Sequence, residues 1–271
     1  MLLWSFAAPS MADTDSAAPP RAERAEGFER IVSVNLCIDR LLLQLLPLER
    51  ITGLSNLSLR PDYSGFNGHI PAEKIHHGQV EELVYMQADL ILAGQYGAVQ
   101  TVATLRQLGF VVEVMPLPQT LAEGRDFVLT IGRLIGAEAA AAAYWEQQEQ
   151  LLEQARARVA LSDQRRTLLY APNGMTIGEG TLEHIILTHI GLSNVAAESG
   201  LQGWQSISLE DLLVLNADRI LLTGPSSYFS MAQEVLSHPV LRNRVAATHM
   251  PEGLSVCPAL HAGELAMAMA P

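Results

Sequence analysis

The sequence predicts an α/β protein of two similar lobes with a helix between them. Short β-rich runs alternate with helical segments at the spacing of βαβ units, a pattern typical of parallel sheets covered by helices. A short unit also recurs: residues 80–92 and 209–221 share an acidic pair, an apolar helix, an Ala-Asp step and an apolar strand. Between these units, residues 120–161 have the apolar periodicity and composition of helix.

The first lobe is predicted to contain four strands and three helices. Runs rich in β-branched and apolar residues predict strands at 30–34, 51–54, 90–93 and 111–115. Segments with helical periodicity predict helices at 38–46, 81–86 and 99–108. Residues 55–78 show no period and contain scattered Pro and Gly, so we predict a long loop there, and long loops in compact domains are usually functional.

The second lobe is predicted to repeat this plan. Its strands are expected at 167–170, 220–222 and 246–250. Its helices are expected at 182–189, 210–215 and 231–236, with glycine-rich loops at 171–180 and 196–206. The helical stretch that precedes this lobe is expected to break near Gly136, because glycine commonly ends helices.

Composition limits the kinds of partner. Hydrophobic residues make up 49% of the chain and charged residues 17%, so a substantial core can form. The formal net charge of −12 argues against a nucleic acid or an anionic membrane surface as partner. A neutral or cationic ligand, or docking to a basic protein surface, is compatible with this charge.

The first 27 residues predict export. An apolar run at residues 2–8 is followed by Ser10-Met11-Ala12, which looks like a small-x-small cleavage site. This resembles the second half of a secretory signal peptide, and residues 13–27 have the composition of a flexible lead-in. No later run is long enough to span a bilayer, so we expect a periplasmic protein that is not membrane-embedded.

Two cysteines, Cys37 and Cys257, lie in opposite lobes on this interpretation. In an oxidising compartment the two could form a bridge, which would oppose opening of the lobes. Two buried thiols near the cleft are an equally good interpretation. The sequence leaves these alternatives open.

No motif proposes a reaction or a metal-ion site. A Gly-x-Ser-x-Gly elbow, a Walker loop, a dinucleotide fingerprint and a Cys-x-x-Cys pair are all absent from the sequence. His76 and His77 are adjacent, and His184 and His189 are five apart, so neither pair converges on one metal as zinc ligands do. We therefore predict a protein that is not an enzyme, with no resident metal and no cofactor.

The carboxyl ends of the strands indicate where a ligand binds. In open parallel sheets ligands bind outside these ends, so two such lobes would enclose a cleft. Aromatic rings in the loops there could hold a large ligand with an apolar face. The candidate cleft residues are Asn35, Cys37, Leu57, Tyr63, Gln95, Tyr96, Asn173, Met175, Trp204, Tyr228 and His261.

Several segments in order resemble one protein family. These are the run from Arg30 to Cys37, the two repeated units, the helix between them, residues 170–174 and Gly203-Trp204. Together they resemble the periplasmic substrate-binding proteins of ABC importers for iron-siderophores, haem and cobalamin, and the vitamin B12-binding members most. The resemblance covers about residues 28–260.

This resemblance implies the class III periplasmic binding protein fold, with two Rossmann-like lobes, parallel sheets and a single long connecting α-helix. The implied divisions are a leader at 1–27, an N-terminal lobe at 28–119, a connecting helix at 120–136 and a C-terminal lobe at 137–271. It also implies that Glu81 and Glu210, equivalent in the two repeats, dock into arginine pockets of an ABC permease dimer.

The resemblance implies a soluble monomeric protein that carries a bulky metal chelate, with a corrinoid favoured and a ferric siderophore or haem as other ligands. In haem-binding members Tyr or His is the axial ligand, and Tyr96 or His261 could serve here. Two alternatives remain: a zinc or manganese receptor, and a metal-cluster enzyme component of similar two-lobed fold, which would need cysteine ligands.

Overall fold

The computed structural model describes residues 27–162, 166–224 and 246–271. Two α/β lobes are present, as predicted. The leader at 1–26, Tyr228 and the helix predicted at 231–236 lie outside the described residues. Among the helices described, none is both long enough and apolar enough to cross a membrane.

The first lobe is built on a five-stranded parallel sheet with strand order β3-β2-β1-β4-β5. Its strands are β1 (Ile31–Ser33), β2 (Ile51–Ser55), β3 (Ile75–His76), β4 (Leu90–Gly94) and β5 (Val112–Met115). Its helices are α1 (Leu36–Leu45), α2 (Pro61–Ser64), α3 (Val80–Tyr85) and α4 (Val99–Gln107). Because side chains alternate along β1, Ile31 enters the core on one face of the sheet and Val32 the core on the other.

The stretch 55–78 differs from the long loop that the sequence predicts. It contains α2, β3 and the 3-10 turns Asn56–Leu59 and Ala72–Lys74. Pro61 begins α2, and Gly65 ends it with a φ of 64° that suits glycine. Elements of two to four residues are too short to show a hydrophobic period, which is why the sequence pattern missed them.

Two helices join the lobes. The predicted break near Gly136 is present: α5 (Leu121–Leu134) ends before it, α6 (Glu138–Ala160) begins after it, and Gly136 has a φ of 62°. The first turns of α6 bury Ala141 and Trp145 in the core of the first lobe. Its later turns bury apolar side chains in the core of the second lobe, so α6 contributes to the cores of both lobes. The lobe boundary at residue 136 stays a prediction.

The second lobe has a mixed sheet with strand order β11-β10-β6-β7-β9, and β8 pairs with β6. Its strands are β6 (Arg166–Ala171), β7 (Met175–Ile177), β8 (Ser193–Asn194), β9 (Trp204–Ser206), β10 (Arg219–Leu222) and β11 (Ala246–His249). Its helices are α7 (Leu182–His189), α8 (Val195–Glu198), α9 (Leu209–Leu215) and α10 (Ala262–Met269).

Three features of the second lobe differ from the sequence prediction. The regions 171–180 and 196–206 are not plain loops, because they contain β7, α8 and β9. Strand β7 runs antiparallel to both β6 and β9, so only part of this sheet is parallel. The helix α10, which the sequence analysis did not predict, packs beside α6 with Leu265 and Met269 fully buried.

Candidate ligand-binding cleft

A cleft of about 430 Å³ lies between the lobes. One wall comes from the first lobe, at residues 35–37, 94–96 and 115–119, and includes the carboxyl ends of β4 and β5. The opposite wall comes from residues 180–183 and 203–204 of the second lobe, and residues 256–260 complete the lining. The volume is within the range of about 300–1,000 Å³ that is usual for small-molecule sites.

Hydrogen bonds from the backbone to two amide side chains hold the first-lobe wall in place. Asn35 caps α1, and its side-chain oxygen accepts hydrogen bonds from the N–H groups of Cys37 (3.0 Å) and Ile38 (3.2 Å). A Cβ atom on Gly94 would lie 2.6 Å from the Asn35 side-chain nitrogen, so a larger residue there would displace the Asn35 amide. Next to it, the Gln95 side-chain oxygen accepts from the Leu117 N–H (3.1 Å) and fixes the segment after β5. Tyr96 projects from this wall with 69% of its surface exposed.

Antiparallel pairing of β7 and β9 builds the second-lobe wall. Trp204 begins β9 opposite Ile177 and remains 49% exposed at the cleft. Gly178, directly after β7, lets the chain approach residue 201, since a Cβ there would lie 2.2 Å from the Leu201 carbonyl oxygen. Glu183, in the first turn of α7, is 6% exposed, and burial raises the pKa of its carboxyl.

A disulfide bridge crosses the edge of the cleft. Cys37 and Cys257 are bonded with an S–S distance of 2.06 Å, which decides between the two alternatives that the sequence left open. Further bonds hold the same segment to the first lobe: the Arg40 guanidinium donates to the Gly253 carbonyl, and the Tyr144 hydroxyl donates to the Leu260 carbonyl (3.0 Å). Residues 253–260 are therefore fastened to α1 and α6.

Five of the predicted cleft residues come together around this cavity: Asn35, Cys37, Gln95, Tyr96 and Trp204. Five others lie elsewhere. Leu57 is 42% exposed on a 3-10 turn, and Tyr63 lies under the Arg60 guanidinium, 5.0 Å from its ring centroid. Asn173 and Met175 lie in the turn after β6 and at the start of β7, outside the cleft lining.

His261, the fifth, belongs to a buried polar cluster away from the cleft. Its ring is 3% exposed, and its Nδ1 lies 2.9 Å from the Tyr144 hydroxyl and 3.5 Å from a Glu264 carboxylate oxygen. Burial lowers the pKa of this imidazole, and its Nε2 has no hydrogen-bond partner within the described parts of the chain. His261 contributes to a separate cavity of about 320 Å³.

Sequence reasoning missed several lining residues, among them Leu117, Pro118, Glu183, Val256 and Pro258. Leu117 and Pro118 follow the carboxyl end of β5, so the strand-end rule could have found them. Glu183 had no clear signal, because an acid in the first turn of a helix is common. Val256 and Pro258 carried no local signal, because the disulfide and the contacts with α1 bring them to the cleft.

The two residues predicted to dock a permease, Glu81 and Glu210, are exposed in the first turns of α3 and α9. Their neighbours cap these helices. The Glu82 carboxylate accepts from the backbone N–H of His77 (2.7 Å), and the Asp211 carboxylate accepts from that of Ser208 (2.8 Å). Across residues 27–162, 166–224 and 246–271, neither Glu81 nor Glu210 forms an ion pair.

The acidic and sulfur-containing side chains do not cluster in the described regions. There, no group of three or more His, Cys, Asp and Glu residues is arranged so that it could hold a metal ion. Among the described residues that line the cleft, Glu183 carries the single carboxyl group, and none is Lys, Arg or His.

Solved structures show the same architecture. A possible iron-binding, periplasmic solute-binding protein from Staphylococcus epidermidis superposes with a TM-score of 0.69 at 19% identity, covering 89% of this chain and 97% of its own. A periplasmic haem-binding protein from Roseiflexus superposes with a TM-score of 0.67 at 18% identity, covering 90% of this chain and 98% of its own. A periplasmic haem-binding protein from Pseudomonas aeruginosa superposes with a TM-score of 0.67 at 20% identity, covering 90% of this chain and 93% of its own.

Sequence comparison agrees with the fold. A search of curated proteins finds no significant match. The family model of the periplasmic binding proteins, however, matches residues 31–249, most of the chain. With two α/β lobes, helices that connect them and a cleft at the strand ends, the chain belongs to the periplasmic binding protein family and has its class III fold.

Proposed function

We propose that this protein captures a bulky metal chelate in the cleft, without catalysis, and delivers it to an ABC permease dimer in the periplasm. We favour a corrinoid as the ligand. The observation that carries this choice is the charge of the cleft. Its described lining is largely apolar, with amide groups from Asn35, Gln95 and Gln119 and one carboxyl group, that of Glu183.

This lining favours a ligand that is neutral or cationic. A corrinoid presents many side-chain amides around a planar ring, and amides pair with other amides and with a carboxylate. Haem carries two carboxylates, and a ferric triscatecholate is an anion with three negative charges. Either would bring negative charge beside Glu183, where the described lining offers no cation to balance it.

Haem is the second candidate, and two observations favour it. The similar structures from Roseiflexus and Pseudomonas aeruginosa are haem-binding proteins. Tyr96 stands exposed in the cleft, and a tyrosine oxygen can be an axial ligand of haem iron. His261 is a poor candidate for this role, because its ring is buried in a cluster outside the cleft.

A titration of the purified protein decides between these ligands. Cyanocobalamin, aquacobalamin and ferric haem would each be added while binding is followed by calorimetry and visible absorbance. We expect both corrinoids to bind, and aquacobalamin to lose more affinity than cyanocobalamin in Glu183→Gln, because it is the cation. Tight haem binding that Tyr96→Phe abolishes would instead establish the second candidate.

Trp204 tests the cleft itself. Removal of a large aromatic contact typically costs about 2 kcal/mol, so Trp204→Ala should weaken binding of the chosen ligand about thirty-fold. The matched control is Tyr63→Ala, which removes an aromatic ring that lies outside the cleft. Equal affinities of Trp204→Ala and the parent would show that the ligand binds elsewhere.

The zinc or manganese receptor makes a different prediction. A receptor for a free ion gains stability in proportion to the logarithm of ion concentration once its site is saturated. We expect the melting temperature to change little at micromolar zinc. A steep rise that a chelator reverses would replace the metal-chelate proposal by a metal-ion receptor.

For delivery, we propose that Glu81 and Glu210 dock into two arginine pockets of the permease dimer. Carboxylate–guanidinium pairs form bidentate hydrogen bonds that orient a complex. In α3 and α9 the capping role falls to Glu82 and Asp211, which leaves Glu81 and Glu210 available to a partner. Equivalent positions in two similar lobes match the symmetry of a two-fold permease.

The test of docking is a double charge reversal, Glu81→Arg with Glu210→Arg. Both residues are exposed, so folding and ligand affinity should remain close to those of the parent. Uptake through the cognate permease should be lost. Normal uptake by the double variant would remove the docking role from these two residues.

A further inference from the structure

Two large apolar side chains are almost fully exposed at equivalent places in the two lobes. Tyr85 is 89% exposed at the end of α3, and Val214 is 83% exposed near the end of α9. These two helices belong to the repeated units, and the strands that follow them, β4 and β10, occupy corresponding positions beside β1 and β6. The exposure is therefore a shared property of the repeat.

Each of these side chains lies four residues after a proposed docking carboxylate. In a helix, positions i and i+4 lie on the same face, so Glu81 is beside Tyr85 and Glu210 is beside Val214. The opposite faces are fixed by burial, since Leu83 is fully buried in the first lobe and Leu212 is 4% exposed in the second. Both lobes thus present an acidic and an apolar group side by side.

Neither pair belongs to the ligand cleft. Tyr85 and Val214 are absent from its lining, as are Glu81 and Glu210. A solvent-exposed apolar side chain is common when it stands alone. Here exposure above four-fifths recurs at two related sites, each next to a carboxylate that has no ion pair among the described residues. This recurrence indicates a partner that has two equivalent sites of mixed basic and apolar character.

We infer that Tyr85 and Val214 are the apolar halves of two equivalent contacts with the permease dimer, each beside its carboxylate. The inference rests on the proposed delivery to a permease and adds a second kind of contact to it. The partner surface would then carry, on each subunit, a basic pocket with an apolar depression about one helical turn, roughly 5 Å, away. The carboxylates would orient the complex, and the apolar groups would slow its dissociation.

The two kinds of contact respond differently to salt. At about 1 M salt the Debye length is about 3 Å, so contacts between exposed charges are largely screened. Burial of apolar surface is not weakened in this way. The apolar contribution should therefore dominate the affinity that remains at high salt.

The experiment measures binding of the ligand-loaded protein to its cognate permease complex in nanodiscs, at low and high salt. Variants are Tyr85→Ser, Val214→Ser and both together, with Leu161→Ser as the matched control, because Leu161 is 91% exposed on neither helix. We expect losses of about tenfold for Tyr85→Ser and about threefold for Val214→Ser, the larger ring losing more contact. The double variant should show its losses at both salt concentrations, and Leu161→Ser none.

The outcomes separate this inference from the docking proposal. If the charge reversal at Glu81 and Glu210 abolishes binding while the double serine variant binds like the parent at both salt concentrations, only the apolar contact is overturned. If neither pair of changes matters, the docking site itself is elsewhere. A parent protein that is dimeric in solution, and monomeric after the serine changes, would assign the two side chains to a contact between copies of this chain and overturn the inference.

Discussion

The two lobes are alike on the side of α3 and α9 and unlike at the cleft. In both, a short helix with a carboxylate cap precedes a strand that pairs with the first strand of its lobe. At the cleft the first lobe offers turns at the ends of parallel strands, whereas the second offers the antiparallel pair of β7 and β9, with Trp204 on β9. The proposed two-fold permease would need equivalent contacts, whereas the proposed ligand, a metal chelate of irregular shape, would not.

The lobes also differ in the buried side chains that hydrogen-bond to their strands and loops. In the first lobe the buried Asp39 carboxylate accepts hydrogen bonds from the Ser55 N–H (3.1 Å) and the Ser58 hydroxyl (2.9 Å). In the second, uncharged groups do similar work: the Thr176 hydroxyl donates to the Leu169 carbonyl and the Asn194 amide to the Ile177 carbonyl, both at 2.8 Å. Of these described hydrogen bonds, those to Asp39 therefore depend on protonation, whereas those of Thr176 and Asn194 do not.

The largest expected effect concerns the covalent link between the lobes. In the chain-entropy account, closing a loop of a hundred residues or more contributes about 4 to 5 kcal/mol. Replacement of both cysteines, Cys37→Ser with Cys257→Ser, should therefore lower the free energy of unfolding by about 4 kcal/mol in a denaturant titration. The same loss should follow when the parent is reduced. An unchanged unfolding midpoint would mean that α5, α6 and the hydrogen bonds from Arg40 and Tyr144 hold the lobes together without help from the disulfide.

Sequence patterns predicted the parts of the fold that depend on long or strongly patterned segments. Strands β1, β2, β4, β5 and β10 are found where their β-rich runs lie, and the break between α5 and α6 is at Gly136 as expected. Strands β7 and β9 were missed, because they lie in glycine-rich segments without a β-rich run and their pairing with each other is non-local. The helix α10 was missed because its alanines and methionines show no clear polar face.

The site was predictable only where a local rule applies. Asn35, Gln95 and Tyr96 follow strand ends, and the chain order alone predicts that they line the cleft, as they do. The disulfide and the segment at 256–260 depend on distant contacts, with Cys37 and Cys257 separated by 220 positions. His261 is the opposite case. It directly follows Leu260, which lines the cleft, but its own ring is buried beside Tyr144 and Glu264.

The second prediction concerns the protonation of the buried Asp39 carboxyl in the first lobe. Burial raises the pKa of Asp39 to about 7, although hydrogen bonds from three serines oppose the shift. The native state therefore holds this proton more tightly than the unfolded state, and stability falls as pH rises from about 4 to about 7. Asp39→Asn should remove that loss and be more stable than the parent at pH 8, on the order of 3 kcal/mol.

Thermal unfolding of the parent and of Asp39→Asn between pH 4 and pH 8 gives the measurement. The difference between the two proteins matters here, since other groups titrate equally in both. A difference that stays constant over this range would show that Asp39 keeps an ordinary pKa. Thr176→Val, a change in the second lobe that removes a hydroxyl, is the control and should shift stability equally at every pH.

A third prediction concerns the middle of α6, between the turns that pack in the first lobe and those that pack in the second. Gln148 is fully buried, and its side-chain oxygen accepts from the N–H groups of Gly263 (3.1 Å) and Glu264 (3.3 Å) in the first turn of α10. In Gln148→Leu these N–H groups lose their acceptor, and a buried unpaired polar group costs about 1–3 kcal/mol. We expect a loss of about 2 kcal/mol by denaturant titration, with hydrogen exchange of α10 accelerated more than that of α1. Equal acceleration throughout would indicate a general loss of stability rather than a loosened cap.

The smallest effect tests the likeness of the two lobes. Ser208 caps α9, its hydroxyl accepting from the Asp211 N–H (3.2 Å), and Ser208→Ala should cost about 1 kcal/mol. The first-lobe change breaks the corresponding cap from its other side: Glu82→Ala, at the position equivalent to Asp211, removes the acceptor for the N–H groups of His77 and Gln79 before α3. If the two helices are equivalent supports for a partner contact, the two changes should lower the free energy of unfolding by similar amounts and leave ligand affinity intact.

Each change should also weaken permease binding, because a frayed first turn no longer holds Glu81 or Glu210 in place. A variant that lost stability but kept full permease affinity would separate the cap from the docking carboxylate beside it, and the likeness of the helices would then have only a structural meaning.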